Sequence, residues 1–311
     1  MSEASDSELR DASRRTRSLL SSAFCPAAKR VPTLAVLLVG EVRTLTLPHV
    51  YWSIAQHAID APGADAKLFM DLKRGLYEGH EPTMQKVNRQ STATVALERA
   101  LKVLQPAGIR IDHADSSLGP HLMRPDCTVD HGHHYTSLTR TIGRWLSVRS
   151  AYEMMRQHEA AAGAEFDAVM QIRSDDVWLA PLPPWCTFTR LFRPSGAALG
   201  QQVAYLELVG SRSSHYVGGA DWWYLLSRRA ASSVLNLADM YLSCTGNLSI
   251  VSSEYVTRPL EAGICAYPPA QSWPVTLLRV RWWQALGLTH PAGAGRGNQQ
   301  SARPAACHRA P

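Results

Sequence analysis

The chain has no Walker A run and no GxGxxG, so the commonest phosphate-cradling loops are excluded. Its six cysteines (Cys25, Cys127, Cys186, Cys244, Cys265 and Cys307) include no CxxC pair, which argues against a zinc ribbon or a thioredoxin-like redox site. No apolar stretch approaches the roughly 20 residues needed to span a bilayer. The longest, Thr33 to Val39, has the length of a strand. Ser2 to Arg17 is polar and mixed in charge, without the apolar centre of a secretory signal. Internal repeats are missing too, which removes solenoids and propellers.

A strong charge imbalance is also missing from the body of the chain. The formal charge is +6, but residues 1–30 hold six Lys/Arg against four acids and residues 291–311 hold three Arg and no acid. Setting aside +2 and +3 for the ends leaves about +1, too balanced for a basic nucleic-acid face. With 311 residues, 45% of them hydrophobic, the chain can bury a sizeable core. Composition divides it into a flexible leader (1–30), one domain (31–290) and a disordered low-complexity tail (291–311). Cysteine pairing is not readable from spacing, and in a reducing compartment free buried thiols are expected. Asn247-Leu248-Ser249 is a single sequon, a triplet that chance often produces.

Strand-like and helix-like stretches alternate through the body. Thr33–Val39 is a continuous apolar run, the pattern of a strand covered on both faces, and it ends in Gly40-Glu41-Val42-Arg43-Thr44. After Pro48, residues Tyr51, Trp52, Ile54, Ala55, Ala58 and Ile59 recur at helical spacing, and a second strand is predicted over Ala66–Leu72. The three pieces make a β-α-β unit with a right-handed crossover. Further helices are predicted from Ser91 to Gln105, from Trp145 to Ala162, from Arg228 to Leu242, and from Ser252 or Ser253 to Gly263. Strands are predicted at 109–113, 167–174, 202–209, 264–267 and 275–280. The fold class is α/β: a mainly parallel, Rossmann-like sheet flanked by helices.

Candidate chemistry clusters where strands end. Ala168–Ile172 is apolar apart from Gln171 and runs into Arg173-Ser174-Asp175-Asp176. Side chains alternate, so Val169, Gln171, Arg173 and Asp175 share one face and Met170, Ile172 and Ser174 the other. Ligands of open α/β sheets sit beyond the carboxyl ends of strands, where Arg173, Asp175 and Asp176 fall; a solvated turn is the plainer alternative. The long stretch 114–139 carries Asp126, Asp130, His131, His133 and His134, suited either to a metal or to a polar loop. In Gly218-Gly219-Ala220-Asp221-Trp222-Trp223, glycines permit close approach of a ligand and indole faces can stack on sugar rings. Core packing of Trp222 or Trp223 is the competing explanation.

Four pieces in this order resemble the nucleotide-sugar glycosyltransferases with a GT-A-like fold: Leu37–Arg43, Phe166–Asp175, Gly218–Asp221, and Glu254 before Leu260 and Gly263-Ile264. The resemblance spans about residues 33–281 and implies a GT-A-like single domain. It implies that Gly40 and Arg43 flank the nucleotide, that Asp175 and Asp176 bind a divalent cation (Mn²⁺ or Mg²⁺), and that Arg173 supplements it on the phosphates. It further implies donor contacts at Gly218, Gly219 and Trp222. If transfer inverts the sugar, Asp221 is the first candidate for the base and Glu254 the second. Many members carry a second Arg where this chain has Gln171, and a spaced Asp-x-Asp where it has adjacent aspartates.

The implied function is metal-dependent transfer from a nucleotide-sugar donor to a glycan, protein or small-molecule acceptor. The resemblance also allows association with Golgi or other secretory membranes, while nucleic acid is not an expected partner. An inactive carbohydrate- or protein-binding module on the same fold is the first alternative. A metal-dependent phosphoester hydrolase using Asp175, Asp176 and the histidine stretch is the second.

Overall fold

The computed structural model describes residues 25, 30–74, 94–113, 129–130, 138–188, 203–210, 217–244, 248–249, 265–267 and 277–279. The first apolar run forms β1 (Thr33–Glu41), with both faces of Leu34–Val39 buried. A short helical turn, α1 (Val42–Leu45), leads to α2 (Pro48–Ser53), which opens with proline in its first turn and continues as a π-helical stretch, Ile54–Asp60. Proline suits that place because the first-turn N–H has no helical acceptor. β2 (Asp65–Arg74) returns parallel to β1. After α3 (Thr94–Leu104), β3 (Gly108–His113) pairs parallel to β2. The long helix α4 (Leu138–Ala162) ends at Gly163, whose φ of +64° is the left-handed stop that glycine favours. β5 (Ala168–Arg173) then pairs parallel to β1 on the side away from β2.

Beyond it lie β6 (Asp176–Trp178), β7 (Val203–Gly210) and β8 (Val217–Ser227). β8 is antiparallel to both β5 and β7. The segment 217–227, which the sequence suggested as a glycine pair before an aromatic stretch, is therefore one long strand. Helices α5 (Arg228–Val234) and α6 (Leu237–Leu242) occupy the single helix predicted over 228–242. The interruption falls at Leu235 and Asn236, whose ψ values of 6° and 13° leave the helical region. A strand β10 (Cys265–Tyr267) pairs parallel to β7. Two small pairs, β4 (Val129–Asp130) with β9 (Leu248–Ser249) and β6 with β11 (Leu277–Arg279), complete the described strands.

The main sheet has the order β10-β7-β8-β5-β1-β2-β3, mostly parallel and covered on both faces, as the α/β class requires. Leu34, Val36, Leu38, Met170 and Ile172 pack toward α2 and α3, whereas Ala35, Leu37, Val39 and Val169 pack toward α4, α5 and α6. The alternation predicted for 169–172 is the one observed. Glu159 of α4 binds α5 through Arg228, whose Nε and Nη2 donate to the carboxylate at 2.7 Å each. Near the amino end of β1, Asp167 accepts from Arg30 Nη1 at 2.8 Å and from Thr33 N at 2.7 Å. Cys25 is disulfide-bonded to Cys186, and Cys244 is also in a disulfide. No helix among the described residues is long and apolar enough to cross a membrane.

Candidate functional site

From β1 the chain proceeds to β2 and β3 on one side, while β5 joins on the other. The order of strands therefore reverses between β1 and β5, and a crevice at their carboxyl ends is where doubly wound sheets take ligands. Two turns far apart in sequence meet there. Ser174 N donates to Val39 O at 3.0 Å, Ser174 Oγ to Glu41 O at 3.0 Å, and Thr44 Oγ1 to Ser174 O at 3.0 Å. Gly40 has φ +142°, and a Cβ on it would lie 2.2 Å from Ser174 Oγ. Glycine is thus required both by its dihedral and by the close approach of β5.

Charged groups converge on the same edge. Arg43, buried at 6% exposure, is ion-paired with Glu41. Arg173 Nε and Nη2 donate to the two oxygens of Asp175 at 2.7 and 2.8 Å, a bidentate pair of the stronger kind. Asp176, at the start of β6, is 1% exposed. Burial pulls the Arg173 guanidinium down, but the charge and hydrogen bonds of Asp175, with Asp176 and Tyr224 behind them, hold it above its ordinary value. The guanidinium therefore stays cationic.

Arg173, Asp175 and Asp176 together carry one net negative charge, and the oxygens they offer are carboxylate oxygens, the donors that hard divalent cations take. Two carboxylates could share a magnesium- or manganese-type cation with the phosphate oxygens of a ligand, with Arg173 as the competitor for Asp175. Among the described residues no group of three or more His, Cys, Asp or Glu gathers as a metal site, so the cation would draw its remaining ligands from phosphate and water.

Gly218 and Gly219 lie in β8 opposite Val209 and Leu208. Asp221 and Trp222 are in the same strand, just before Trp223, which pairs with Ile172. That register brings the amino end of β8 beside the carboxyl end of β5. Trp223 is fully buried and stacks at a tilt on Trp178, 6.0 Å between centroids, so core packing is its role. Glu254, His131, His133, His134 and the helix expected from Ser252 lie outside the described residues, as does Asp126. Gln171 is fully buried between Leu37 and Tyr224 and donates Nε2 to Ile172 O at 3.2 Å. It lies short of the edge, in the sheet interior.

The edge also holds a group that sequence reasoning passed over. Asp71, fully buried in β2, flanks Val39 on the side opposite Arg173. Lys73 Nζ lies 3.0 Å from Asp71 and 3.2 Å from Asp112, and Arg110 Nε is 2.6 Å from Asp112. Burial pushes the Asp112 carboxyl up, but Lys73 and Arg110 outweigh it and hold the group below its usual range. Its one local signal is an acid inside the apolar run Leu68-Phe69-Met70-Asp71-Leu72, whereas Asp175 stood out because charge ended its run.

No protein-family model matches the chain, and no curated protein matches it. Among solved structures it is similar to mouse xyloside xylosyltransferase 1 in its apo form, with TM-score 0.36 and 12% identity over 81% of this chain and 90% of that one. It is also similar to the glycosyltransferase GlyE of Streptococcus pneumoniae TIGR4, with TM-score 0.31 and 10% identity over 77% of this chain and 45% of GlyE.

Proposed function

We propose that the chain is a glycosyltransferase that takes a nucleotide-sugar donor at the carboxyl edge between β1 and β5. The supporting observation is the junction itself: the Gly40–Arg43 turn and the Arg173–Asp176 turn are hydrogen-bonded to each other at the point where strand order reverses. In this proposal Gly40 and Arg43 back the nucleotide, Arg173 faces the phosphates, and Gly218, Gly219 and Trp222 border the sugar. Asp175 and Asp176 hold Mn²⁺ or Mg²⁺. When bound, such a cation neutralises charge on the diphosphate leaving group. Arg173 holds both oxygens of Asp175, so Asp175 would be shared between the guanidinium and a cation, and the guanidinium would serve phosphate, which it recognises well.

In transfer, the acceptor oxygen forms a bond to the anomeric carbon as that carbon's bond to phosphate breaks. The acceptor proton goes to a carboxylate, Asp221 first and Glu254 second, if the sugar is inverted. A panel of nucleoside diphosphates with Mn²⁺ or Mg²⁺ tests the proposal by thermal shift, since a ligand that binds the native state raises its stability. At least one nucleotide raises Tm, and Asp175→Asn and Asp176→Asn each abolish the Mn²⁺-dependent part. An unchanged shift in both variants sinks the metal role, and a flat panel sinks the donor site.

A second reading, an inactive binding module, is favoured by one observation: Arg173 occupies both oxygens of Asp175. It predicts neither transfer nor donor hydrolysis with any cation.

A further inference from the structure

The disulfide from Cys25 to Cys186 bears on where this chemistry happens. Cys186 lies in the short 3-10 turn Trp185–Thr187, at the end of a segment running on from Asp176 and β6. That segment is fastened to the end of α2, the π-helical stretch and the turn after it. Trp178 N donates to Ser53 Oγ at 3.1 Å and Leu182 N to His57 O at 2.8 Å, while His57 Nδ1 lies 2.6 Å from Trp178 O. Trp185 N continues the seam by donating to Pro62 O at 2.8 Å. The bond therefore ties residue 25, across 161 residues of chain, to the segment that carries Asp176. Cys25 is itself buried, at 8% exposure. A buried cross-link between distant parts of the fold has the character of a structural disulfide, and Cys244 is in a second bridge.

We infer that the chain folds in an oxidising compartment and that its acceptors are glycoconjugates or proteins passing through that compartment, not cytosolic ones. Structural disulfides persist in secretory and other oxidising spaces and are rare where glutathione and thioredoxin keep thiols reduced. Forming Cys25–Cys186 removes two protons and two electrons from the thiols. A protein disulfide oxidant accepts them by thiol–disulfide exchange and is left as a dithiol. The acceptor half rests on the proposed transferase activity. The oxidised-compartment half stands on the cross-links alone.

The test uses the full chain isolated from cells that express it naturally, with thiols blocked by N-ethylmaleimide at lysis, digested without reduction. Peptides carrying Cys25 and Cys186 are expected joined and unalkylated; quantitative alkylation of both overturns the inference. The same protein is then given radiolabelled nucleotide sugars with two acceptor pools, a deglycosylated secretory fraction and a cytosolic fraction. Label at least tenfold higher in the secretory pool supports the acceptor class. Label confined to the cytosolic pool overturns it while leaving the transferase reading intact. Joined peptides with no label in either pool, and no donor hydrolysis, overturn the acceptor class together with the transferase reading and leave the oxidising compartment standing.

Discussion

Gly40→Ala attacks the junction on which the site depends, and its cost can be worked from two independent sources. A side chain at φ +142° occupies a sparsely populated backbone region, worth about 1–3 kcal/mol. The new methyl would also sit 2.2 Å from Ser174 Oγ, and overpacking of this kind typically costs about 1–3 kcal/mol. Together they predict a loss of about 2–6 kcal/mol by equilibrium urea denaturation. The sources separate in a double-mutant cycle. Ser174→Ala alone gives up the hydrogen bond to Glu41 O, about 1 kcal/mol. In the Gly40→Ala background it also removes the overlapping oxygen, leaving Ser174 Cβ at 3.2 Å. The double variant should therefore recover about 1–3 kcal/mol of the overlap cost and retain the dihedral part. Additivity within about 0.5 kcal/mol would refute the close approach as the reason for glycine, and a Gly40→Ala cost below about 1 kcal/mol would refute the strain as well.

Elsewhere, Glu159→Ala leaves Arg228 with Tyr152 Oη but no carboxylate partner and leaves Phe166 N–H without its acceptor. A loss of about 3 kcal/mol is expected, partly regained in Glu159→Ala/Arg228→Ala, and equal losses in single and double variants would show that the pair is not what matters. Asp167 gives a pH signature. Burial pushes its carboxyl up, but Arg30 and the Thr33 N–H and hydroxyl pull harder, so it is held below its ordinary range. A depressed folded value contributes stability that is present above the unfolded carboxylate pKa, about 4, and is lost as pH falls through the folded value. Asp167→Asn should be less stable than the parent at pH 6 and lose less on going to pH 3, measured by urea midpoint; parallel pH curves would contradict this. Cys186→Ser should lower stability by about 5 kcal/mol, as loop closure predicts for a loop of 161 residues, and chemical reduction of the parent, which also opens the Cys244 bridge, should lower Tm at least as far.

Much of the sheet could be read from periodicity because its strands are buried on both faces. Runs such as Thr33–Val39 and Ala168–Ile172 have no polar face to obscure them, and each appears within a residue or two of its predicted bounds. What periodicity could not show was pairing. The antiparallel placement of β8 came from contacts between residues more than 50 apart, and local composition, glycines followed by tryptophans, offered ligand contact or core packing without assigning a strand. The site followed the same division. Arg173 and the aspartates were visible because charge ended an apolar run. That Arg173 grips Asp175, while Asp176 starts a buried strand beside it, depended on where β6 paired with β11.

Asp71 shows the limit of reading turns alone. It is buried inside a strand, and nothing local separates an acid in a misread loop from an acid in a sheet. Register decides it: Val39 has Asp71 on one side and Arg173 on the other, so the two charges bracket the last buried residue of β1 at the mouth of the switch point. Charges so placed, one on each side of the first strand, make its carboxyl end the polar seam of an otherwise apolar sheet. A ligand approaching Arg173 therefore meets the Asp71–Lys73 pair across a single strand. Lys73→Met should leave the buried Asp71 without its nearest cation, costing about 3 kcal/mol and weakening nucleotide-dependent thermal shifts. A shift of full size in a folded Lys73→Met protein would confine the donor site to the β1–β5 side.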